Sequence, residues 1–549
     1  WNSSPRGVRT TGETNRFASP RDPLPGEWRC DRDGFELSIA LRDDGRLHYT
    51  SNVGRMALLS PEGIGYSGKE IFWNSGGATQ VQLLQRGGCV EWRKWNAAAG
   101  EWFAHRTLER LSNVESEERG RYVSQSPIWD ALAPGHTLLI KGSWLVEHQR
   151  SDQILPRQQD LPYYATWKPA ELQRAVKAGA VRIVALSYCW KTNDHPDPDG
   201  ERLTRVAGLI ERRLAYTFPD GGKVLDDLAI FWDYPSMPQL PRSGSKQKDF
   251  NRALNCVDLW FAHSCTEVWL LTKTMGMRKY SERGWPMFER CISSLITPGD
   301  SIIDCGLWDG SEEDWVVIAK KCKAQRQPPM RPEKAAAVMA GKNFASGADL
   351  GAVLRMYGRT YSEVLGNIRS LHLFSLPGWG DGEAQALAEC LPDCTQLKEL
   401  NLSYNSIGKE GSAAIGAAAR HCAQLRAVYM TENPLGAEGA AALVSGLALC
   451  PSLEQLTLTG TGIQDIGAKA VATAMLQCPS LRILCVDRCR ITDTGAAALS
   501  SALEQCPALE KMQISGNLIS EKGAAILKAA WIRAGKDHAS CLALGFEPS

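Results

Sequence analysis

Five cysteines, Cys394, Cys422, Cys450, Cys478 and Cys506, recur at an unbroken spacing of 28 residues. Each stands three positions before a leucine, and Leu397, Leu425, Leu453, Leu481 and Leu509 open the pattern L-x-x-L-x-L, with Val, Met or Ile at some later sites. Gly411, Gly439, Gly467, Gly495 and Gly523 follow fourteen positions on. A strict period constrains folding more than composition does, because each unit must bury its apolar face against the next. An opening unit at Ile368, Leu371 and Leu373 lies 29 residues before Leu397, the extra residue falling in the turn 376–381. Six units result, and residues 367–549 are assigned to this array.

Within a unit, the stretch LKELNL from Leu397 alternates as a short strand, Asn405 and Ile407 make a turn, and 411–420 is Ala-rich and helix-prone. The turn position holds Asn405, Asn433, Thr461, Cys489 and Asn517, whose side chains can bond backbone groups of the curving chain. Strands stacked about 4.8 Å apart would set the five cysteines in a row as buried free thiols, so no metal site is expected. The array resembles the ribonuclease-inhibitor class of leucine-rich repeats over residues 368–536. That resemblance implies a horseshoe with a protein partner on its concave face. His372, Asn401, Tyr429, Thr457, Cys485 and Gln513 would form one column there, and Phe374, Ser403, Thr431, Thr459, Asp487 and Ser515 the next. These columns carry no Lys or Arg stripe, which argues against nucleic acid.

At 549 residues the chain exceeds one ordinary core, and three or four domains are expected. Sixteen of the 18 tryptophans precede residue 360, so the two ends are built differently. A formal charge of +1 implies neither a polyanion nor an anionic membrane as partner. Seventeen cysteines without C-x-x-C pairs fit a reducing, cytoplasmic compartment, and no apolar run approaches the ~18 residues of a membrane span. The chain opens at Trp1 rather than at methionine, which leaves room for an upstream segment.

Residues 1–24 are poor in apolar side chains and are expected to be a disordered tail. Residues 25–110 read as a Trp-rich antiparallel β module: 35–41 alternates, Asp44-Gly45 signals a hairpin, and further apolar runs follow at 71–73, 81–84 and 90–95. Gly63 to Lys69 has the G-x-x-x-x-G-K spacing of a phosphate loop, but Glu70 replaces the Ser or Thr and a strand follows where a helix N-terminus is needed. Turn glycines account for it better.

Residues 181–312 change rhythm. Val181 to Tyr188, Leu228 to Asp233 and Val268 to Leu271 are nearly continuous apolar runs separated by helix-like stretches at 202–214 and 250–262. This is the pattern of a doubly wound parallel α/β sheet, whose ligands bind at C-terminal strand ends. Ser187, Tyr188 and Asp233 fall there.

Three segments of this region are similar to the heterokaryon incompatibility (HET) domain family, related in fold to TIR domains. They are Ala185-Leu186-Ser187-Tyr188-Cys189-Trp190, the group Trp232, Asp233 and Gln239, and Arg283-Gly284-Trp285-Pro286-Met287-Phe288-Glu289. The chain departs from the family where Trp232 adjoins Asp233, where Pro235-Ser236-Met237-Pro238 replaces Cys-Ile-Asn, and where Phe288 replaces Gln. The resemblance implies a self/non-self signalling effector, and the TIR relatives include NAD-cleaving enzymes. Glu289, four residues after Trp285, then stands at the offset of their catalytic glutamate. It would stabilise oxocarbenium character as the nicotinamide–ribose bond breaks. Ser187 and Asp233 would flank it, with Tyr188, Trp190, Trp285 and Arg283 as nucleotide contacts, NAD as substrate and no required cofactor. The alternative is a non-catalytic scaffold in which this domain self-associates and the repeats recruit a partner.

Other constellations carry less. His263-Ser264-Cys265 places a base and a thiol two apart, where they rarely face each other. His195 to Gly200 imitates part of a calcium loop but has Val206 at its twelfth position, so a solvated turn is expected. Arg278, Lys279 and Arg283 form a basic cluster read as a solvated face. Residues 111–180 are read as a connector with a helix near 169–178, and 313–366 as helices, broken at 327–332, that cap the first repeat.

Overall fold

A computed structural model describes residues 120–217, 223–274, 278–297 and 301–536, the backbone of eight strands between Gly26 and Arg110, and the strand Leu542–Ala543. The tail expected over 1–24 and the Asp44-Gly45 turn lie outside the described residues. The eight strands are β1 Gly26–Arg29, β2 Glu36–Leu41, β3 Leu47–Ser51, β4 Arg55–Glu62, β5 Gly65–Phe72, β6 Ala78–Arg86, β7 Cys89–Asn96 and β8 Glu101–Arg110. Each pairs antiparallel with the next, and β1 returns to β8, closing a barrel. Closure removes the free edges an open sheet would expose. The Gly63-to-Lys69 spacing thus runs into strand β5, with no helix N-terminus behind it.

The second sheet has the order β13, β12, β10, β11, β9, in which β9 is Ile140–Lys141, β10 Val181–Ser187, β11 Asp227–Phe231, β12 Thr266–Leu270 and β13 Ile302–Asp304. The last four are mutually parallel, and β9 adds an antiparallel edge to β11. Their apolar runs are continuous because both faces are covered. Ile183, Phe231 and Val268 face helices Val257–Ala262 and Gly284–Ile296, while Val184, Ile230 and Trp269 face helices Gly142–Arg150, Glu201–Ala215 and Trp315–Lys321. Residues 120–180 are therefore part of this domain, in contrast to the connector expected from sequence. Tyr122, Ile128, Leu145 and Leu172 are buried in it. The two-residue strand β9 is too short to leave a periodic trace.

The repeats stack as β14 Ser370–His372, β15 Glu399–Asn401, β16 Ala427–Tyr429, β17 Gln455–Thr457, β18 Ile483–Cys485 and β19 Lys511–Gln513, parallel and in chain order, with β20 Leu542–Ala543 at the edge. The turn side chains bond backbone as the sequence suggests. The Asn433 amide donates to Leu402 O and Met430 O at 2.9 and 3.0 Å and accepts from Ile407 N at 3.0 Å. The periodic cysteines are free thiols with a structural task. Cys422, Cys450, Cys478 and Cys506 lie within 3.3–3.8 Å of the carbonyls of Leu391, Ala419, Leu447 and Met475, at the C-terminal end of the preceding helix. Each of those carbonyls also accepts from the backbone N–H of the preceding unit's cysteine, so the thiol adds a second bond to a helix end. Burial pushes the thiols up, Cys450 to about 12.

A further ladder went unread in the sequence. Asp381 accepts from the backbone N–H of Gly408 and Gly411 at 2.7 and 2.8 Å, and Asp465 from Thr492 and Gly495 at 2.8 and 3.0 Å. A first-turn carboxylate thereby ties each of these helices to the start of the next, where the helix dipole favours it. Asp381, Asp465 and Asp493 keep the 28-residue register, interrupted by Lys409 and Ala437, which hides the ladder from a search for invariant positions.

Helices Pro332–Ala340 and Gly347–Asn367 join the α/β domain to the array. One buried cluster runs without a break from Tyr122 through Phe288, Tyr361 and Trp379 to Trp531. Arg326, wholly buried, donates to Ser294 O of the α/β domain at 2.9 Å and to His372 O of the first repeat at 3.1 Å.

Candidate functional site

In the order β11, β10, β12, β13 the chain leaves β10 in opposite directions, so the crevice at the C-terminal ends of β10 and its neighbours is where such sheets take ligands. Ser187 ends β10, Asp233 opens a one-turn helix after β11, and Glu289 lies on helix Gly284–Ile296. The three meet. Ser187 Oγ donates to Glu289 Oε2 at 2.5 Å, and the Tyr280 hydroxyl lies 2.5 Å from the same Ser187 oxygen. Burial pushes the half-buried Glu289 carboxyl up to about 8, and the negative charge of Asp233 adds to the shift while the Ser187 bond opposes it. Asp233 accepts from the Tyr188 hydroxyl, from the Trp190 indole N–H at 3.0 Å and from Tyr234 N at 2.6 Å. Burial nevertheless raises its proton affinity. The site therefore holds two dissimilar carboxyls: one carries its proton at neutral pH, and the other is clamped by three donors.

The remaining candidates divide. Arg283 sits at the margin, where its charge acts on the Cys189 thiol and opposes the burial that pushes that thiol up to about 11. Trp285 is turned to the joint, its indole N–H donating to Asp349 at 3.1 Å. Gly284 between them has no room for a side chain, since a Cβ there would lie 2.3 Å from the Phe344 ring. Tyr280, the member of this group that the sequence did not suggest, lies outside all three motif segments. Two clefts among the described residues, one lined by Lys191, Arg202, Arg205 and Lys273 and one by Arg121, Asp130, His136 and Cys256, include neither Glu289 nor Ser187.

The weaker constellations have structural tasks. His263 is buried, with Nδ1 accepting from Cys265 N at 3.1 Å and Nε2 2.8 Å from Ser124 O, and burial lowers its proton affinity to about 4. Asp197, expected in a solvated turn, is wholly buried and accepts from Arg202 N and Leu203 N at 3.0 and 2.9 Å, capping helix Glu201–Ala215. Arg278 of the basic cluster bonds Asn343 Oδ1 at 2.5 Å.

On the array, His372, Asn401, Tyr429, Thr457, Gln513, Phe374 and Thr431 are partly exposed along the strands and just beyond them, and Cys485 is buried. Asp487 accepts from Ser515 N and Oγ at 2.8 and 2.6 Å, and so stiffens the face laterally. Beside it runs a column in the left-handed region, Tyr404, Glu432, Gly460, Arg488 and Gly516. Arg488 reaches back across Gly460 to pair with Glu432 at 2.6 Å. A Cβ at Gly460 would lie 2.5 Å from that carboxylate, so glycine makes the bridge possible.

Residues 393–416, 449–472 and 477–500 match the leucine-rich repeat family model. Among solved structures, the tropomodulin C-terminal domain from Caenorhabditis elegans is similar at 13% identity over 32% of this chain and 90% of its own, with a TM-score of 0.23. A comparison with curated proteins returns no match. The C-terminal third thus contains leucine-rich repeats, a surface suited to protein interaction. No helix among the described residues is long and apolar enough to cross a membrane.

Proposed function

We propose that this chain is an intracellular recognition and signalling protein, in which the concave repeat face binds a protein partner and the HET/TIR-like domain acts as effector by cleaving NAD. The observation that carries the effector half is the 2.5 Å bond between Ser187 and Glu289 at the strand ends, beside Asp233. In the reaction, water adds to the ribose C1′, the bond to the nicotinamide nitrogen breaks, nicotinamide leaves neutral, and one proton is released. An ionised Glu289 would stabilise the positive charge that builds on the ribose ring. Because Glu289 holds its proton up to about pH 8, the rate should climb as pH rises through that value. Nicotinamide release from the concentrated full chain, rising with pH and lost in Glu289→Ala, is the expected result. Release that is absent, or equal in the variant, would remove the enzyme.

A second reading is a non-catalytic scaffold, with the α/β domain self-associating. It is favoured by the full burial of Ser187 and by the three donors that occupy Asp233. Undiminished partner capture and self-association by a Glu289→Ala chain, without nicotinamide release from wild type, would select it.

A further inference from the structure

Tyr280 closes a chain of three hydrogen bonds that begins at Glu289. Ser187 Oγ lies 2.5 Å from Glu289 Oε2 and 2.5 Å from Tyr280 Oη, and Tyr280 Oη lies 3.3 Å from the carbonyl of Pro286. Ser187 is 0% and Tyr280 4% exposed, so bulk water does not complete these bonds. Each hydroxyl has one proton to give. When Glu289 is ionised, Ser187 donates to it and Tyr280 donates to Ser187. When Glu289 is protonated, it donates to Ser187, Ser187 turns to Tyr280, and the Tyr280 proton passes to Pro286 O. Both arrangements use every proton without moving a heavy atom. Pro286 lies in the first turn of the helix that carries Glu289, so the chain closes on its own element.

We propose that Tyr280 is a positioning residue for the Glu289 carboxyl, turning its hydroxyl between Ser187 and the Pro286 carbonyl as that carboxyl loses or gains its proton. Its meaning for catalysis rests on the reading of Glu289 as the working carboxyl, because the chain sets the pH at which the ionised form becomes available. The other groups around the site are Tyr188 and Cys189 after β10, Asp233 after β11, and Arg283 and Arg290 on or beside the Glu289 helix. Asp233 is held by its own three donors, and Arg290 donates to Gln325 O at 3.0 Å. Among the described hydrogen bonds, the Ser187 hydroxyl is the donor that reaches Glu289.

The test is the titration of the Glu289 carboxyl in the full chain, followed by carbon NMR with glutamate labelled at its carboxyl and assigned by Glu289→Gln. Tyr280→Phe leaves the Ser187 proton without an acceptor when Glu289 is protonated, whereas the ionised arrangement keeps Ser187 paired with Glu289, so the midpoint should move downward by about one pH unit. The tyrosine Raman doublet, isolated as wild type minus Tyr280→Phe, should change across the same titration and become pH-independent in a Glu289→Gln background. An unmoved midpoint in folded Tyr280→Phe overturns the proposal. Should that variant fail to fold, Ser187→Ala cuts the chain in the middle; a tyrosine doublet that still follows Glu289 there overturns it equally. Neither readout uses NAD. Absent nicotinamide release therefore removes the enzyme and leaves this chain standing, whereas an unmoved midpoint removes the chain alone.

Discussion

Glu289 holds its proton more tightly in the folded protein than in the unfolded chain, with a value of about 8 against an ordinary 4.5. Such a group contributes stability that is complete below the unfolded value and is lost as pH rises through the folded one. We therefore expect the urea midpoint of wild type to fall between about pH 4.5 and about pH 8 and to level off above that, and Glu289→Gln to lose much less over that range. Parallel curves would show that the carboxyl is ionised well below pH 8. Ser187 and Asp233 could be read from sequence because polar residues ending apolar runs mark the C-terminal edge of a parallel sheet, whereas Glu289, inside a helix, was suggested only by the resemblance of its offset from Trp285 to that in TIR domains. The partner of Trp285 could not, since Asp349 is 64 residues away on a helix whose packing no local pattern reveals. Tyr280 was hidden for a like reason, its bond to Ser187 crossing 93 residues.

The repeats owe their regularity to contacts that tolerate almost no added volume. Helices Lys409–Ala419 and Gly436–Leu447 approach so closely that a Cβ on Gly446 would lie 2.0 Å from Gly416 O. Backbone is the obstacle, so the helices would have to separate. Gly446→Ala should cost about 2 kcal/mol or more despite alanine's better helix propensity, read as a lower denaturant midpoint. A neutral or stabilising result would mean that the two helices part without penalty. The 28-residue spacing gave the strands, the turns and the helices of each unit, because a period fixes every copy at once. It did not give the thiol's task. A row of cysteines looks the same whether it fills space or reaches a helix carbonyl, and the bond from Cys450 to Ala419 O crosses 31 residues into the preceding unit.

The α/β domain and the array share one buried cluster, so the strand face of the repeats and the Glu289 site belong to a single continuous body from Tyr122 to Trp531. Arg326 is central to the joint. Its guanidinium serves Ser294 O and His372 O, and its own carbonyl accepts the Trp379 indole N–H at 2.7 Å. Arg326→Ala would leave two carbonyls from opposite sides of the joint buried and unpaired, at a cost of about 3 kcal/mol. Hydrogen exchange in rising denaturant distinguishes coupling from mere adjacency. In wild type, β10 to β12 and β16 to β18 should open at a common denaturant concentration. In Arg326→Ala the repeats should open apart from the α/β sheet, since a repeat array is stabilised through its neighbours and has lost its first one. Common opening in both proteins would mean that the helices Pro332–Ala340 and Gly347–Asn367 carry the coupling without the arginine. Separate opening already in wild type would mean that the shared core transmits nothing between the repeat face and the carboxyl site.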